Sequence, residues 1–210
     1  MSNFDPNEAA TADSGIFGLP FSVQSARVVY LPVPWDATSS YGKGASSGPK
    51  AILRASHQLD LFDHELGKPY EAGLAVLPIP KAIETLNAQA NKVSLKKAVE
   101  KVNVLSEKLN FWVRSETEKQ LNDGKLVGVI GGDHSSPFGA IEAITQRESE
   151  LGILHIDAHA DMRKAYEGYV WSHASIMFNV LERLPTVKKL VQIGIRDFCE
   201  EEKAYAESQG

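Results

Sequence analysis

Leu151-Gly-Ile-Leu-His-Ile-Asp-Ala-His-Ala-Asp161 is the stretch of sequence that decides the fold and the chemistry. It begins as a short apolar run, which is typical of a buried β-strand, and it ends with Asp157, His159 and Asp161 at every second position. In an extended chain every second side chain lies on the same face. We therefore expect two carboxylates and an imidazole to meet where a buried strand reaches the surface.

A second strand of the same character precedes this one. Val127-Gly-Val-Ile-Gly-Gly-Asp-His134 is an apolar run that ends on a histidine, and Gly131-Gly132 would let the backbone turn sharply before it. Ligands in open α/β sheets bind at the carboxyl ends of the strands. Neighbouring strands that each end in oxygen and nitrogen donors are typical of a metal site, and His134 would be part of it.

Charge favours a metal as the explanation of this cluster. Taken singly, a histidine after a strand is usually a surface or hydrogen-bonded residue, and acidic loop residues usually face water. Carboxylates as close as Asp157 and Asp161, however, repel each other unless positive charge lies between them. Carboxylates and imidazoles without a thiolate suit Mn²⁺, and Ni, Co or Zn would also fit. We expect His155 and Asp133 to support the ligands and not to bind metal themselves.

Strand and helix patterns alternate along most of the chain, which predicts an α/β domain with a largely parallel sheet covered on both faces. The longest helix, from Ser94 to about Asn122, carries apolar residues from Leu95 to Val113 at three-and-four spacing, and this stripe would pack on the sheet. The predicted strands are residues 26–34, 73–80, 127–134, the run from 151, and 187–194. The predicted helix starts are Pro49, Ser136, Ser172 and Asp197, the last three as caps.

Two segments have less pattern. Residues 1–24 are rich in Ser, Asp, Asn and Ala without periodicity, which predicts an N-terminal tail, or an arm on a neighbouring subunit, before a domain over residues 25–210. The Gly/Ser-rich loop Trp35–Gly48 follows the first strand. It is either a flexible connection or part of a site at the carboxyl edge of the sheet, and the sequence favours neither.

Composition excludes several classes of function. The formal net charge of -5 gives no electrostatic reason to expect a nucleic-acid or anionic-membrane partner. A single cysteine, Cys199, excludes an internal disulfide framework and fits a reducing compartment. No run approaches the ~18 apolar residues that span a bilayer, and the first residues lack the features of a signal peptide. We therefore expect a cytoplasmic protein.

Three motifs, in this order, resemble the ureohydrolase family, which includes arginases and agmatinases: Gly131-Gly-Asp-His134, Asp157-Ala-His-Ala-Asp161 and Ser172-His-Ala-Ser175. The segment from Pro34 to Ile52 is similar to the agmatinase-like branch, and the resemblance covers roughly residues 26–200. It implies a three-layer α/β/α domain with a mostly parallel sheet. It also implies a dinuclear manganese cluster that hydrolyses a small guanidino substrate such as agmatine, in polyamine metabolism, to urea and an amine.

The resemblance also implies roles for single residues. His134 and Asp161 would bind one Mn²⁺, His159 the other, and Asp157 would bridge them. A hydroxide that bridges the ions would attack the guanidinium carbon, and Asp161 would also pass on its proton. His173 would relay protons or orient the leaving amine, the alternative being an ordinary residue in the first turn of a helix. We also expect a homo-oligomer.

The sequence departs from the family after Gly194-Ile-Arg-Asp197. The family's second metal motif, of the type Ser-x-Asp-x-Asp-x-x-Asp-Pro, and a later glutamate do not occur before Gly210. The last strands of the sheet are therefore expected to be missing from this chain. Asp197 and the acidic residues 200–202 lie nearby, but a solvated helix face explains them better.

These departures leave three hypotheses open. The chain is an agmatinase-like hydrolase in incomplete form, or a non-catalytic domain that acts in assembly or regulation. The third hypothesis is hydrolysis of another amidine, such as formiminoglutamate or guanidine. Two firmly bound ions per chain would count against the non-catalytic hypothesis.

Overall fold

A parallel α/β architecture organises the chain, which a computed structural model describes over residues 4–11, 13–94 and 98–209. The strands in these residues are β1 (Val28–Val33), β2 (Leu74–Val76), β3 (Leu126–Gly131), β4 (Leu151–Ile156) and β5 (Val187–Ile193). The α-helices are α1 (Gly48–Ala55), α2 (Lys81–Ser94), α3 (Val99–Asn122), α4 (Phe138–Thr145), α5 (Ile176–Arg183) and α6 (Glu200–Ser208). Short 3₁₀ turns lie at Ile16–Gly18, Ala45–Ser47, Ser56–Gln58, Pro69–Ala72, Tyr166–Gly168 and His173–Ser175.

The strands form two hydrogen-bonded groups. One is three-stranded in the order β2-β1-β3, and the other is the pair β4-β5. Every pairing between these strands is parallel, with β1 and β3 in register from Val28 opposite Leu126 to Val33 opposite Gly131. Parallel strands need crossover connections, and helices supply most of them here. The predicted parallel α/β fold is confirmed.

The first core lies between β1 and α3. The β1 run Val-Val-Tyr-Leu-Pro-Val is rich in β-branched residues, and Val29, Leu31 and Val33 are fully buried. On α3, Val102 and Val113 face the same cluster as Leu31 and Val33. The prediction that the apolar stripe of this helix packs on the sheet is therefore confirmed. Leu95, which the prediction placed in that stripe, lies outside the described residues.

The second core lies on one side of β4 and β5. Ile153 and Leu190, which are partners in the strand register, pack against Ile176 and Val180 of α5. On the opposite face the exposed residues are Leu154 beside Val191 and Ile156 beside Ile193. We expected helices on both faces of the sheet, but this face of the pair is open.

One helix has no counterpart in the sequence predictions. Helix α2 carries Ile83, Leu86, Ala90 and Val93 at helical spacing, and these residues contribute to the first core. Of its three buried residues, Ile83, Asn87 and Ala90, one is polar and one is small, which weakens the periodic signal. The helix predicted from Ser94 begins instead at Val99 as α3.

Two of the three predicted caps are wrong. The Ser136 hydroxyl donates to the carbonyl oxygen of Asp133 at 2.7 Å, and α4 begins two residues later without a side-chain cap. Cys199, not Asp197, precedes α6. Ser172 does cap a helical turn, since its hydroxyl accepts from the Ala174 amide at 3.3 Å and starts the 3₁₀ turn ahead of α5.

Part of the predicted tail packs on the body of the chain. Ile16 and Leu19 are buried, and the Phe17 amide donates to the Ser56 hydroxyl at 2.9 Å. The domain boundary at residue 25 stays a prediction. Among the described residues, the helices lack the combination of length and apolar character that crossing a membrane would require.

Candidate metal centre

The carboxyl ends of β3 and β4 meet, although these two strands are not hydrogen-bonded to each other. The Nδ1 atom of His134, after β3, lies 2.5 Å from Oδ2 of Asp161 and 3.6 Å from Oδ2 of Asp157, after β4. With His155 at the end of β4 they form a group whose donor atoms all lie within 4.8 Å of one another. The structure thus brings together three of the four residues that the sequence proposes as ligands.

The turn that carries His134 depends on Gly132. A Cβ atom at this position would lie 2.1 Å from the carbonyl oxygen of Trp35, a distance that no side chain tolerates. The Asp133 amide donates to that same carbonyl at 2.7 Å, which ties the turn to the loop after β1. Glycine is needed here for a close approach of two backbones, and not for the positive φ of a sharp turn.

Electrostatics favours positive charge inside the cluster. Burial opposes the protonated form of His134, but its hydrogen bond to Asp161 and the charges of Asp161 and Asp157 outweigh it and raise the pKa of His134. Burial also opposes ionisation of Asp157, yet the amide of His159 and the charge of His134 lower the pKa of Asp157. A cation bound among these groups would replace the proton that His134 shares with Asp161.

His155 supports the cluster through a defined tautomer. The Gln192 side-chain amide donates to the carbonyl oxygen of Ala160 at 2.9 Å and to Nδ1 of His155 at 2.8 Å. Nδ1 is therefore an acceptor, so the proton of the neutral ring sits on Nε2, which lies 3.5 Å from Oδ2 of Asp157. Burial and the nearby His134 lower the pKa of His155, in keeping with a neutral ring. This geometry agrees with the supporting role expected for His155.

His159 lies at the rim of the cluster. Its side chain is 60% exposed, with Nδ1 at 3.3 Å from Oδ1 of Asp157 and Nε2 at 3.7 Å from Oδ2 of Asp197. The prediction that every second side chain lies on one face grouped His159 with the two aspartates. It fails here because β4 ends at Ile156, three residues before His159. His159 therefore remains within reach of Asp157 but outside the four-residue group.

The donor set fits one divalent cation well. His134, Asp157 and Asp161 offer an imidazole and two carboxylates, and they are part-buried or buried, where unpaired charge is costly. A second ion would have Asp157 and His159 as donors. This is a smaller set than a closed site provides.

His173 is positioned by a buried polar chain. Its amide donates to the Thr38 hydroxyl at 3.1 Å, and that hydroxyl donates to Oδ2 of Asp133 at 3.0 Å. The other oxygen of Asp133 accepts from the amide and hydroxyl of Ser135. Burial above all raises the pKa of Asp133. The supporting role expected for Asp133 would act through Thr38, which the sequence did not single out.

The loop after β1 belongs to this edge of the sheet. The buried Asp36 carboxylate accepts hydrogen bonds from Asn87 and Asn91 of α2 and from Gly44 and Ser46 of the loop itself. The loop is therefore held on both sides. This observation favours the second of the two interpretations left open, namely a loop that lies at the site.

A cavity of about 280 Å³ opens over the cluster. It contains all five residues that the sequence proposes for the site, His134, Asp157, His159, Asp161 and His173, together with Ser40, Arg163, Tyr166, Ala174, Asp197 and Glu202.

Glu202 is the residue of this cavity that the sequence interpretation misjudged. It was expected on a solvated helix face, but it is only 3% exposed. The available signal was its spacing from Cys199, since a capping-box glutamate lies three residues after the cap. Asp197, by contrast, has a side chain that is 73% exposed, as expected.

Comparison with known proteins shows which family this chain belongs to. The sequence profile described as the arginase family matches residues 26–210. N(1)-aminopropylagmatine ureohydrolase of Thermus thermophilus is 36% identical over 190 residues, which cover 89% of this chain and 57% of the relative. The enzyme of the same name from Synechocystis is 36% identical over 86% of this chain and 54% of its own length.

Solved structures of related proteins have the same fold as this chain. The agmatine ureohydrolase of Thermoplasma volcanium superposes with a TM-score of 0.69 at 25% identity, over 95% of this chain and 58% of that one. The chain therefore spans little more than half the length of the relatives it matches.

Proposed function

Because the chain belongs to the arginase family, we propose that it acts as a metal-dependent hydrolase that cleaves a guanidino C–N bond and releases urea. The observation that carries the proposal is the meeting of the His134 ring with the carboxylates of Asp157 and Asp161 at the ends of two separate strands. A buried cluster of this kind is expected to hold a cation.

We assign the metal ligands as follows. His134 and Asp161 would hold one Mn²⁺ and His159 a second, and Asp157 would serve both, since its two oxygens face His134 and His159 respectively. Bound metal would lower the pKa of a coordinated water and so supply the nucleophile at neutral pH. The preference for Mn²⁺ over Ni, Co or Zn follows from the share of carboxylate donors.

The chain's own residues supply the remaining chemistry. The aspartates attract a guanidinium cation into the cavity, and Asp161 accepts the proton that the attacking water gives up. The water oxygen bonds to the guanidino carbon while the bond from that carbon to the substituted nitrogen breaks. His173 gives a proton to this nitrogen and takes one back from the added oxygen as it becomes the urea carbonyl. The proton held by Asp161 leaves with the amine, so the products are urea and an alkylammonium ion. The hydrogen bond from the backbone amide of His173 to the Thr38 hydroxyl keeps His173 at the cavity wall.

The substrate class is an alkyl guanidine with an amine tail. The relatives that carry the names agmatine ureohydrolase and N(1)-aminopropylagmatine ureohydrolase support this class. Agmatine is our first candidate because it is the smaller of the two. A cytoplasmic location and a homo-oligomer also remain proposals.

A second candidate is a domain that binds metal without catalysis, in assembly or regulation. The exposed position of His159 favours it, because a second ion would be held by few donors of the described residues. The two candidates differ in whether urea is formed, and in how many ions are firmly held.

The test is urea release from the purified chain with Mn²⁺ and either agmatine or N(1)-aminopropylagmatine. We expect urea from the unaltered chain, and neither urea nor firmly bound Mn²⁺ from Asp157→Asn, which keeps the side-chain size and removes the charge. Glu200→Gln, at an exposed position of α6, is the matched control and should behave as the unaltered chain. Bound Mn²⁺ without urea from any guanidino compound would overturn hydrolysis in favour of the second candidate.

A further inference from the structure

Asp161 holds its carboxylate in place with an unfavourable backbone. Its φ is 53°, in the left-handed region that non-glycine residues rarely adopt, although aspartate tolerates it better than most. This conformation turns the side chain back towards His134, 2.5 Å away, just after β4 has ended. Such a conformation persists only when the surrounding structure fixes it.

The contacts that fix it come from two helices. The Met177 amide, in α5, donates to the carbonyl oxygen of Asp161 at 3.0 Å. On the other side of the same peptide, the Met162 amide donates to Oε1 of Glu202, in α6, at 2.9 Å. The carbonyl and the amide of the peptide that follows Asp161 are thus both held by partners from other helices.

Glu202, which lines the cavity, is itself held by several partners. Its second oxygen, Oε2, accepts from the Cys199 amide at 2.9 Å and lies 3.3 Å from Nε of Arg163. Two amide donors and one guanidinium compensate the burial of this carboxylate, so its placement is over-determined. A helix face turned to solvent would need none of these partners.

We propose that Glu202 is a positioning residue for the metal ligand Asp161. By holding the Met162 amide, Glu202 maintains the left-handed backbone that points the Asp161 carboxylate at His134. This role rests on the metal site of the proposed function, but it concerns the affinity of the site for metal and not the chemistry of the substrate. It extends the site to α6, which the motif residues do not include.

The first test is the dissociation constant for Mn²⁺, measured by calorimetry. Loss of a residue that orients a metal ligand typically weakens binding by about 10- to 100-fold, and we expect a loss in this range for Glu202→Ala. Glu202→Gln keeps an oxygen that can accept from the Met162 amide, so it should recover most of the affinity. Glu200 lies two residues away in the same helix and is exposed, so Glu200→Ala should bind Mn²⁺ as the unaltered chain does.

A general loss of stability is controlled by Val113→Ala. Val113 is fully buried in the first core, away from α6, so this variant lowers the melting temperature without touching the contacts of Asp161. It should retain the Mn²⁺ affinity of the unaltered chain. If Val113→Ala weakens Mn²⁺ binding as much as Glu202→Ala does, the positioning role is wrong.

Hydrogen exchange of the Met162 amide gives a readout without metal. We expect this amide to be protected in the unaltered chain and in Glu202→Gln, and to lose protection in Glu202→Ala. Unchanged protection or unchanged Mn²⁺ affinity in Glu202→Ala would overturn the proposal. Absence of Mn²⁺ binding by the unaltered chain would overturn it too, whereas Mn²⁺ bound without urea would count against the proposed function alone.

Discussion

The two groups of strands deliver their ends to the same site, yet they are supported differently. In the three-stranded group, no residue of β1 is exposed, and Leu31 is only 1% exposed. In the pair β4-β5, Leu154 and Ile156 are 61% and 72% exposed on the face opposite α5. Parallel sheets are normally covered on both faces. The strand that carries the two aspartates is therefore the one with less support from the sheet around it.

The difference teaches that the site does not depend on a continuous sheet. Hydrogen bonds outside the strands hold its parts together: Thr38 joins the loop after β1 to Asp133 and His173, and Glu202 joins α6 to the segment after Asp161. Sheet packing and site geometry are thus separate contributions. Each can be tested with its own variants.

The largest effect is expected from a matched pair of leucine truncations. Leu31→Ala in β1 removes a fully buried side chain and should lower the free energy of unfolding by about 2–5 kcal/mol. Leu154→Ala, at an exposed position of β4, should change it by no more than about 0.5 kcal/mol. Urea denaturation followed by circular dichroism measures both. Equal losses would mean that the open face of β4-β5 is covered in solution.

A smaller effect on the free energy of unfolding is expected from Asp36, in the loop after β1. Burial opposes ionisation of Asp36, but hydrogen bonds from Asn91, Gly44 and Ser46 hold the pKa of Asp36 well below its usual range. Asp36→Asn should therefore lower the free energy of unfolding at pH 7 by about 1.5–3 kcal/mol, the usual contribution of hydrogen bonds to a charged group.

The pH dependence of this loss has a definite sign. A carboxylate with a lowered pKa in the folded state contributes stability above its unfolded pKa of about 3.9, and this is lost as pH falls towards the folded value. The difference between the unaltered chain and Asp36→Asn should therefore be full at neutral pH and shrink below about pH 4. Asp60→Asn, at an exposed position, is the control and should show no such dependence. A constant difference across this range would contradict the assignment.

The smallest effect on stability is expected from Leu154→Lys, which should nevertheless reduce dye binding to the apolar surface of β4-β5. Leu154, Ile156, Val191 and Ile193 form a contiguous apolar patch on the open face of β4-β5, where a lysine meets no steric obstacle. The free energy of unfolding should change by less than about 0.5 kcal/mol. Fluorescence of a bound apolar dye should fall. Val104→Lys, at an exposed position of α3, should leave the dye signal unchanged, and a similar fall there would remove the patch as its source.

Local sequence patterns predicted the strands and proposed the candidate ligands near them, because period-two and period-3.6 spacing directly reflect which face is buried. They failed where the chain leaves regular structure. The alternation that groups Asp157, His159 and Asp161 applies only to extended backbone, and the chain is no longer a strand after Ile156. His159 consequently turns outwards, while Asp161 meets His134 through its left-handed backbone.

The remaining differences come from contacts between distant segments. Glu202 meets the Met162 amide across 40 positions, and Thr38 meets His173 across 135. No local window contains both partners of such a pair. Helix α2 was not predicted because its buried face combines Ile83 with the small Ala90 and the polar Asn87, which gives a weak apolar pattern. The sequence could thus propose the candidate ligands, but not the distant residues that contact them.

The side chain of Gln192 has a consequence for how many donors the cluster can offer. It donates hydrogens to two acceptors, the Ala160 carbonyl and Nδ1 of His155, so the imidazole presents N–H and not a lone pair to Asp157. A carboxylate in its place would need a hydrogen from the ring and would reverse the tautomer. The Nε2 atom of His155, 3.5 Å from Oδ2 of Asp157, would then become a Lewis base. One side-chain amide therefore determines whether three or four side chains of this group can coordinate a metal.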